Sequence, residues 1–229
     1  MADLDKVATV ISVTTPYESD RDFLVLHTLR CIGVSSEERV ATASETTRHE
    51  TAARLRDLSG RGLVALDPGP FGGWGLTDRG RVTEQELVRV ELEQADARVE
   101  VRKCYESFMG LNPELLQVCS DWQMRKLRQH HILNDHADAD YDAKVLTRLM
   151  SIDESAQPLC DELATRMTRF GVYGLRLTRA LDRALAGDRA YVADDLESYH
   201  TVWFQLHEDL LVTLGISREQ ERGDRSSTG

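Results

Sequence analysis

The chain is short of everything that would staple it or carry it through a membrane. Its four cysteines, Cys31, Cys104, Cys119 and Cys160, show no CxxC spacing, so neither a disulfide framework nor a zinc cluster is signalled. Packing as small buried apolar residues is the plain reading of all four. A redox-sensing thiol is the sharper one, with Cys104 and Cys119 as its candidates. No stretch approaches about 20 apolar residues, as a membrane-spanning helix needs. The opening MADLDKVATVISV lacks the basic flank and long apolar run of a secretion signal, so a cytoplasmic protein is expected. With 41% hydrophobic and 29% charged residues, the composition is that of a folded soluble chain rather than a disordered one.

Positive charge is scarce as well. The net charge of −11 argues against a protein that coats nucleic acid non-specifically. The deficit is uneven: residues 1–81 carry ten basic against twelve acidic residues, so most of the excess acid lies further on. Within 46–81 the balance reverses, with Arg48, Arg54, Arg56, Arg61, Arg79 and Arg81 against Glu50, Asp57, Asp67 and Asp78.

Signatures of catalysis are missing too. There is no GxSxG, no phosphate-binding loop and no GxGxxG after a strand, so neither an enzyme nor a bound cofactor is expected. Asp138, Asp140 and Asp142 alternate as in a calcium loop, but the central glycine and the terminal glutamate are absent. Capping of the following helix is the better reading. Glu197-x-x-His200 matches half of a di-iron motif that has no second half. His200 and His207 stand about 10 Å apart along a helix, and His130 and His131 point to opposite sides, so no metal site is expected.

What remains is mainly helical. Residues 22–31 form a first helix with Phe23, Leu24, Leu26, His27 and Cys31 along one side. Ser35 and Glu38 make a capping box for a second helix running to about 43. Thr47 and Glu50 cap a third, 47–59, with Ala52, Leu55 and Leu58 inward. Residues 63–66 and 74–76 read as two short strands around a glycine-rich turn, and Thr77 caps the next helix. One long helix is expected over 77–110, with Val88, Leu92, Ala95 and Val99 as a narrow seam suited to a dimer contact or to packing within the subunit. Asn112-Pro113 reads as a new helix start, burying Leu115, Leu116, Cys119 and Trp122 and ending near 133. Further helices are expected at 141–169, kinked or broken at Pro158, at 175–186 and at 191–214. The polar end, 217–229, reads as frayed.

The order helix, helix, turn, helix, hairpin, helix is that of a winged helix-turn-helix. The segment RLRDLSGRGLVAL, a glycine-rich loop and then GWGLTDRGR resemble the MarR-like and broader winged-helix regulators of bacteria over about residues 20–81. The Asp-x-Arg that many of those proteins carry at the wing is absent. The C-terminal region is similar to segments appended to actinobacterial regulators of this kind. The resemblance implies a DNA-binding domain at 1–81, a linking dimerisation helix at 82–110, a helical dimerisation and effector domain at 111–216, and a tail.

In such a protein the third helix enters the major groove. Thr46, Thr47, Arg48, His49 and Thr51 are then expected at base edges, with Arg48 first because a guanidinium engages guanine bidentately. Arg54 and Arg56 are expected at phosphates or the groove rim, the wing tip 71–73 near the minor groove, and Arg79 and Arg81 as phosphate clamps. A small-molecule effector would sit among the C-terminal aromatics, with Trp122, Tyr173, Tyr199, His200, Trp203 and His207 as candidates, although core packing explains most of them. The expected function is a homodimeric, effector-controlled transcription regulator. The alternative is an interaction adaptor that uses the winged helix and the acidic bundle to hold proteins.

Overall fold

The computed structural model describes residues 15–69, 72–127 and 130–221. The N-terminal stretch 1–14 and the residues 222–229 of the expected tail lie outside them, as does Phe71 at the expected wing tip. The described chain is mainly helical, with two small antiparallel hairpins. Among these residues no helix is long and apolar enough to cross a membrane.

The first unit runs α1 (Arg21–Ile32), α2 (Glu37–Ala43), α3 (Arg48–Gly60), β1 (Val64–Leu66), β2 (Trp74–Leu76) and α4 (Asp78–Gln94). Side-chain oxygens start each helix. Asp20 accepts from the amides of Asp22 and Phe23, Ser36 from Arg39, Thr47 from Glu50 and Thr77 from Gly80. The cap of α2 is thus Ser36, one residue beyond the expected Ser35, which pairs instead with Trp74 through two backbone hydrogen bonds and ties the hairpin to the turn after α1. Val25, Leu26, Leu29, Val40, Leu55, Leu58, Leu63 and Val64 form a compact aliphatic core beneath this unit. Gly80 is required where α4 crosses the hairpin. A Cβ there would meet the Leu63 carbonyl oxygen at 1.9 Å, so no larger residue fits without backbone movement.

The expected long helix 77–110 is two helices. The chain turns at Ala95-Asp96-Ala97, where Asp96 adopts a left-handed φ of 46°, and α5 restarts at Arg98. Val88 and Leu92 are buried by their own chain at 3% and 1% exposure while Val99 is 78% exposed, so the four residues form no continuous exposed seam. Helix α5 (Arg98–Gln123) passes through Pro113 rather than starting there. Asn112 does not cap a helix; its Oδ1 accepts from the Trp203 indole N–H at 3.0 Å. Leu116 is half exposed. Where the helix was expected to continue, β3 (Met124–Leu127) and β4 (His130–Leu133) form a hairpin instead.

Helix α6 (Ala139–Arg166) continues unbroken through Pro158, and a 3-10 turn, Thr168–Phe170, leads into α7 (Gly171–Leu185), which begins four residues earlier than expected. The last expected helix is divided into α8 (Ala190–Ala193) and α9 (Tyr199–Leu214). Residues 218–221 form a further helical turn, with Glu221 buried and its carboxylate 2.7 Å from His207 Nε2; this part of the tail is packed rather than frayed. Helices α5, α6, α7 and α9 enclose a second, larger core that includes Phe108, Trp122, Leu149, Phe170, Tyr199 and Trp203.

Candidate nucleic-acid interface and junction cavity

Two places in the fold concentrate chemistry. The first is the outer face of α3 with the hairpin beside it. Leu55, Leu58 and Thr51 face the small core, which leaves Arg48, His49, Ala53 and Arg56 outward in solvent. Arg48 Nε lies 3.3 Å from Glu37, and Arg54 is held by Asp22 at 2.9 Å, which also holds Arg61. Arg56, Arg79 and Arg81 are exposed and have no ion-pair partner among the described residues. Thr47 is committed to its cap. Thr51 is fully buried and shares a 2.7 Å hydroxyl contact with Thr46, so this pair builds the turn between α2 and α3 and does not reach outward as expected. In the hairpin Val64 pairs with Leu76 and Leu66 with Trp74, with Leu66 and Asp67 exposed toward its tip.

The second place lies where the first unit meets the larger core. Here α1, α4, α7, α9 and the 3-10 turn converge on a buried ionic cluster. Arg169 places Nη1 on both Asp209 oxygens at 2.6 and 2.7 Å, Nε on Glu91 at 2.7 Å and Nη2 on the Thr213 hydroxyl at 2.8 Å. The guanidinium also lies 4.2 Å over the Phe170 ring. His27 from α1 sits between Glu84, 2.7 Å from Nδ1, and Asp209, 3.0 Å from Nε2. Tyr173 donates to Asp209 at 2.9 Å, and Ser19 donates to Glu91.

Charges this deep cost several kcal/mol each to desolvate, and pairing of this quality is what makes them tolerable. Two basic groups face three carboxyl groups, and the electrostatics follow from that ratio. Burial opposes ionisation of Asp209, yet Arg169 and His27 hold its carboxyl far below the usual range. Burial likewise opposes the imidazolium of His27, but the hydrogen-bonded Asp209 carboxylate favours it, against Arg169, and its pKa is well raised. Burial and the Asp209 charge push the Tyr173 hydroxyl well up.

A cavity of about 460 Å³ opens beside this cluster, between α1 on one side and α7 and α9 on the other, and reaches the turn between α2 and α3 at Ser44 and Glu45. Leu24, Ile32, Val172 and Leu175 supply apolar wall. Glu45, one of its lining residues, has a left-handed φ of 51° and forms an ion pair with Arg179 of α7. Donor atoms of His27, Cys31 and Asp209 lie within 4.8 Å of one another, a spacing that suits a metal ion. The Arg169 guanidinium already occupies both Asp209 oxygens and brings its own positive charge, so the set works as an ion network rather than a cation cage. Cys31 is no better as a nucleophile, because burial pushes its thiol up. Burial likewise raises Cys104, and takes Cys119 and Cys160 up to about 12, which favours packing over redox sensing for the expected candidates.

Of the six residues expected to line an effector pocket, Tyr173 alone lines this cavity. Trp203 stacks on Phe108 at 4.3 Å, Tyr199 donates to Asp153 and Trp122 to the Arg189 carbonyl, all as core members. His207 is held by Glu221, and His200, its pKa lowered by burial, stands apart from the junction. Sequence reading missed Gln205, and also Arg169 and Asp209, whose ionic partners lie tens of residues away. One signal was present: Glu84 and Glu91 flank Val88 on the buried stripe of α4, where acids are out of place unless paired. Comparison with known proteins finds no matching family model, no matching curated protein and no matching solved structure.

Proposed function

We propose that this chain is a cytoplasmic DNA-binding transcription regulator. Its first unit acts as a winged helix-turn-helix with α3 as the reading helix and the β1–β2 hairpin as the wing, and its helical body answers to a small-molecule effector bound at the junction cavity. The observation that carries this reading is the exposed outer face of α3, with Arg48, His49 and Arg56 in solvent, on a unit that has a core of its own. The cavity touches both α1 and the turn that leads into α3. An occupant there favours one placement of the reading helix over another, and so changes affinity for DNA. A homodimer belongs to this reading, because one reading helix covers half of a two-fold operator. Its contact surface is not the stripe 88–99, most of which the chain buries itself.

Fluorescence anisotropy with the DNA upstream of the protein's own gene tests the reading. Tight binding that weakens steeply with salt is expected. Arg48→Ala combined with Arg56→Ala should lower affinity at least tenfold while leaving the circular dichroism and melting temperature unchanged. Affinity unchanged in that double variant would remove α3 as the reader.

An adaptor that holds proteins rather than DNA is favoured by one observation: acids already engage Arg48, Arg54 and Arg61, and the hairpin offers Asp67 but no base among its described residues. Capture of a protein partner through α3, with no preference among DNA sequences, would select it.

A further inference from the structure

One side chain of the junction wall has all of its polar atoms buried and without a hydrogen-bond partner among the described residues. Gln205 on α9, one turn before Asp209, is 2% exposed and lines the cavity, and neither its Oε1 nor its Nε2 has a hydrogen-bond partner among the described residues. Its neighbours differ. His27, Arg169, Tyr173, Asp209 and Thr213 are each buried and each hydrogen bonded. A buried amide with neither donor nor acceptor engaged is rare in folded proteins, and each instance calls for an explanation. Function is a common one, since binding sites are where a fold keeps unsatisfied groups.

We propose that the cavity takes a flat, neutral small molecule presenting an N–H and a C=O side by side, as a lactam, a carboxamide or a nucleobase does, and that Gln205 is the residue that selects it. This inference rests on the regulator reading for its consequence, though not for its chemistry. A cis-amide edge engages both the donor and the acceptor of a primary amide at once, through two coplanar hydrogen bonds in opposite directions. Neutrality follows from the surroundings. Of the cations on the cavity wall, Arg169 is engaged by Asp209 and Glu91, and Arg176 and Arg21 each already face a carboxylate, Glu197 and Glu50; the carboxyl groups of the cluster are likewise engaged. The cavity volume falls within the usual range for small-molecule sites, and its aliphatic side chains would hold the body of the ligand behind the polar edge. The amide atoms are sealed from solvent, so a ligand that reaches them shifts the wall around Gln205, the kind of displacement a regulator needs.

Ligand-observed NMR on the full chain, without DNA, tests this with 2-quinolone as the lactam probe and 2-methoxyquinoline as the same shape with its edge blocked. Saturable binding of 2-quinolone is expected, with 2-methoxyquinoline at least tenfold weaker. Gln205→Leu should weaken the lactam at least tenfold while its melting temperature stays level or rises, because the orphan amide is gone. Equal binding of the two probes, absence of saturable lactam binding, or full binding by Gln205→Leu would overturn the assignment. The comparison of probes on the unaltered protein needs no variant to fold. Lactam binding without DNA affinity would sink the regulator reading alone; DNA affinity without lactam binding would sink this site alone.

Discussion

The two sides of α1 teach opposite lessons about how this molecule is held together. On one side Val25, Leu26 and Leu29 enter a dry aliphatic core with α2, α3 and the hairpin. On the other, His27 and Cys31 enter a junction made of charges, hydroxyls and a cavity. The aliphatic side fixes shape, because close packing has few alternatives. The ionic side fixes a relation between two units, and that relation depends on proton count, partner geometry and occupancy of the space beside it. A fold that only needed stability gains little from this arrangement, since buried ion pairs often do no better than apolar residues of equal volume.

The comparison breaks most visibly at Arg169. Arg169→Met leaves Asp209 and Glu91 buried without their cation and should cost about 3–5 kcal/mol in urea unfolding. A loss under 1 kcal/mol would mean that the junction is wetter than its 3% side-chain exposure indicates. On the aliphatic side, Leu55→Ala removes a fully buried side chain and should cost roughly 2–5 kcal/mol, with loss of α3 and of any DNA affinity together. The smallest effect, and the sharpest discriminator, is that of pH. His27 has a raised pKa in the folded protein, so its contribution is complete below about pH 6.5 and fades as pH climbs toward the folded value. Asp209 is held low, so its contribution is complete above about pH 4 and fades in acid. Melting temperature should therefore fall on both flanks, and His27→Gln should flatten the alkaline flank most, with a smaller change on the acid one because His27 helps Arg169 hold Asp209 low. An alkaline slope identical in His27→Gln would assign it to another group.

How much of this was legible in the sequence follows the same division. Local chemistry was readable: Thr47 and Thr77 as caps, Leu55 and Leu58 on one helical face, the two strands around a glycine-rich turn. Those signals lie within a few residues of one another. The break at Asp96 was hidden because an aspartate, not a glycine, takes the left-handed turn. Pro113 misled for a related reason: proline at a helix start and proline on the exposed side of a long helix look alike until tertiary packing decides. The junction was the least readable of all. His27 passed as one more member of a buried helical face, and its partners Arg169 and Asp209 come from segments 142 and 182 residues further on, beyond the reach of any periodicity.

The Glu45–Arg179 pair carries a last consequence. It joins the helical body to the turn that sets the start of α3, and both side chains reach water, so mobile ions compete for it. Raising ionic strength therefore works on this chain twice, once by screening phosphates and once by slackening the strap that tells α3 where the body is. The two effects separate in Arg179→Gln, which keeps the first and lacks the second.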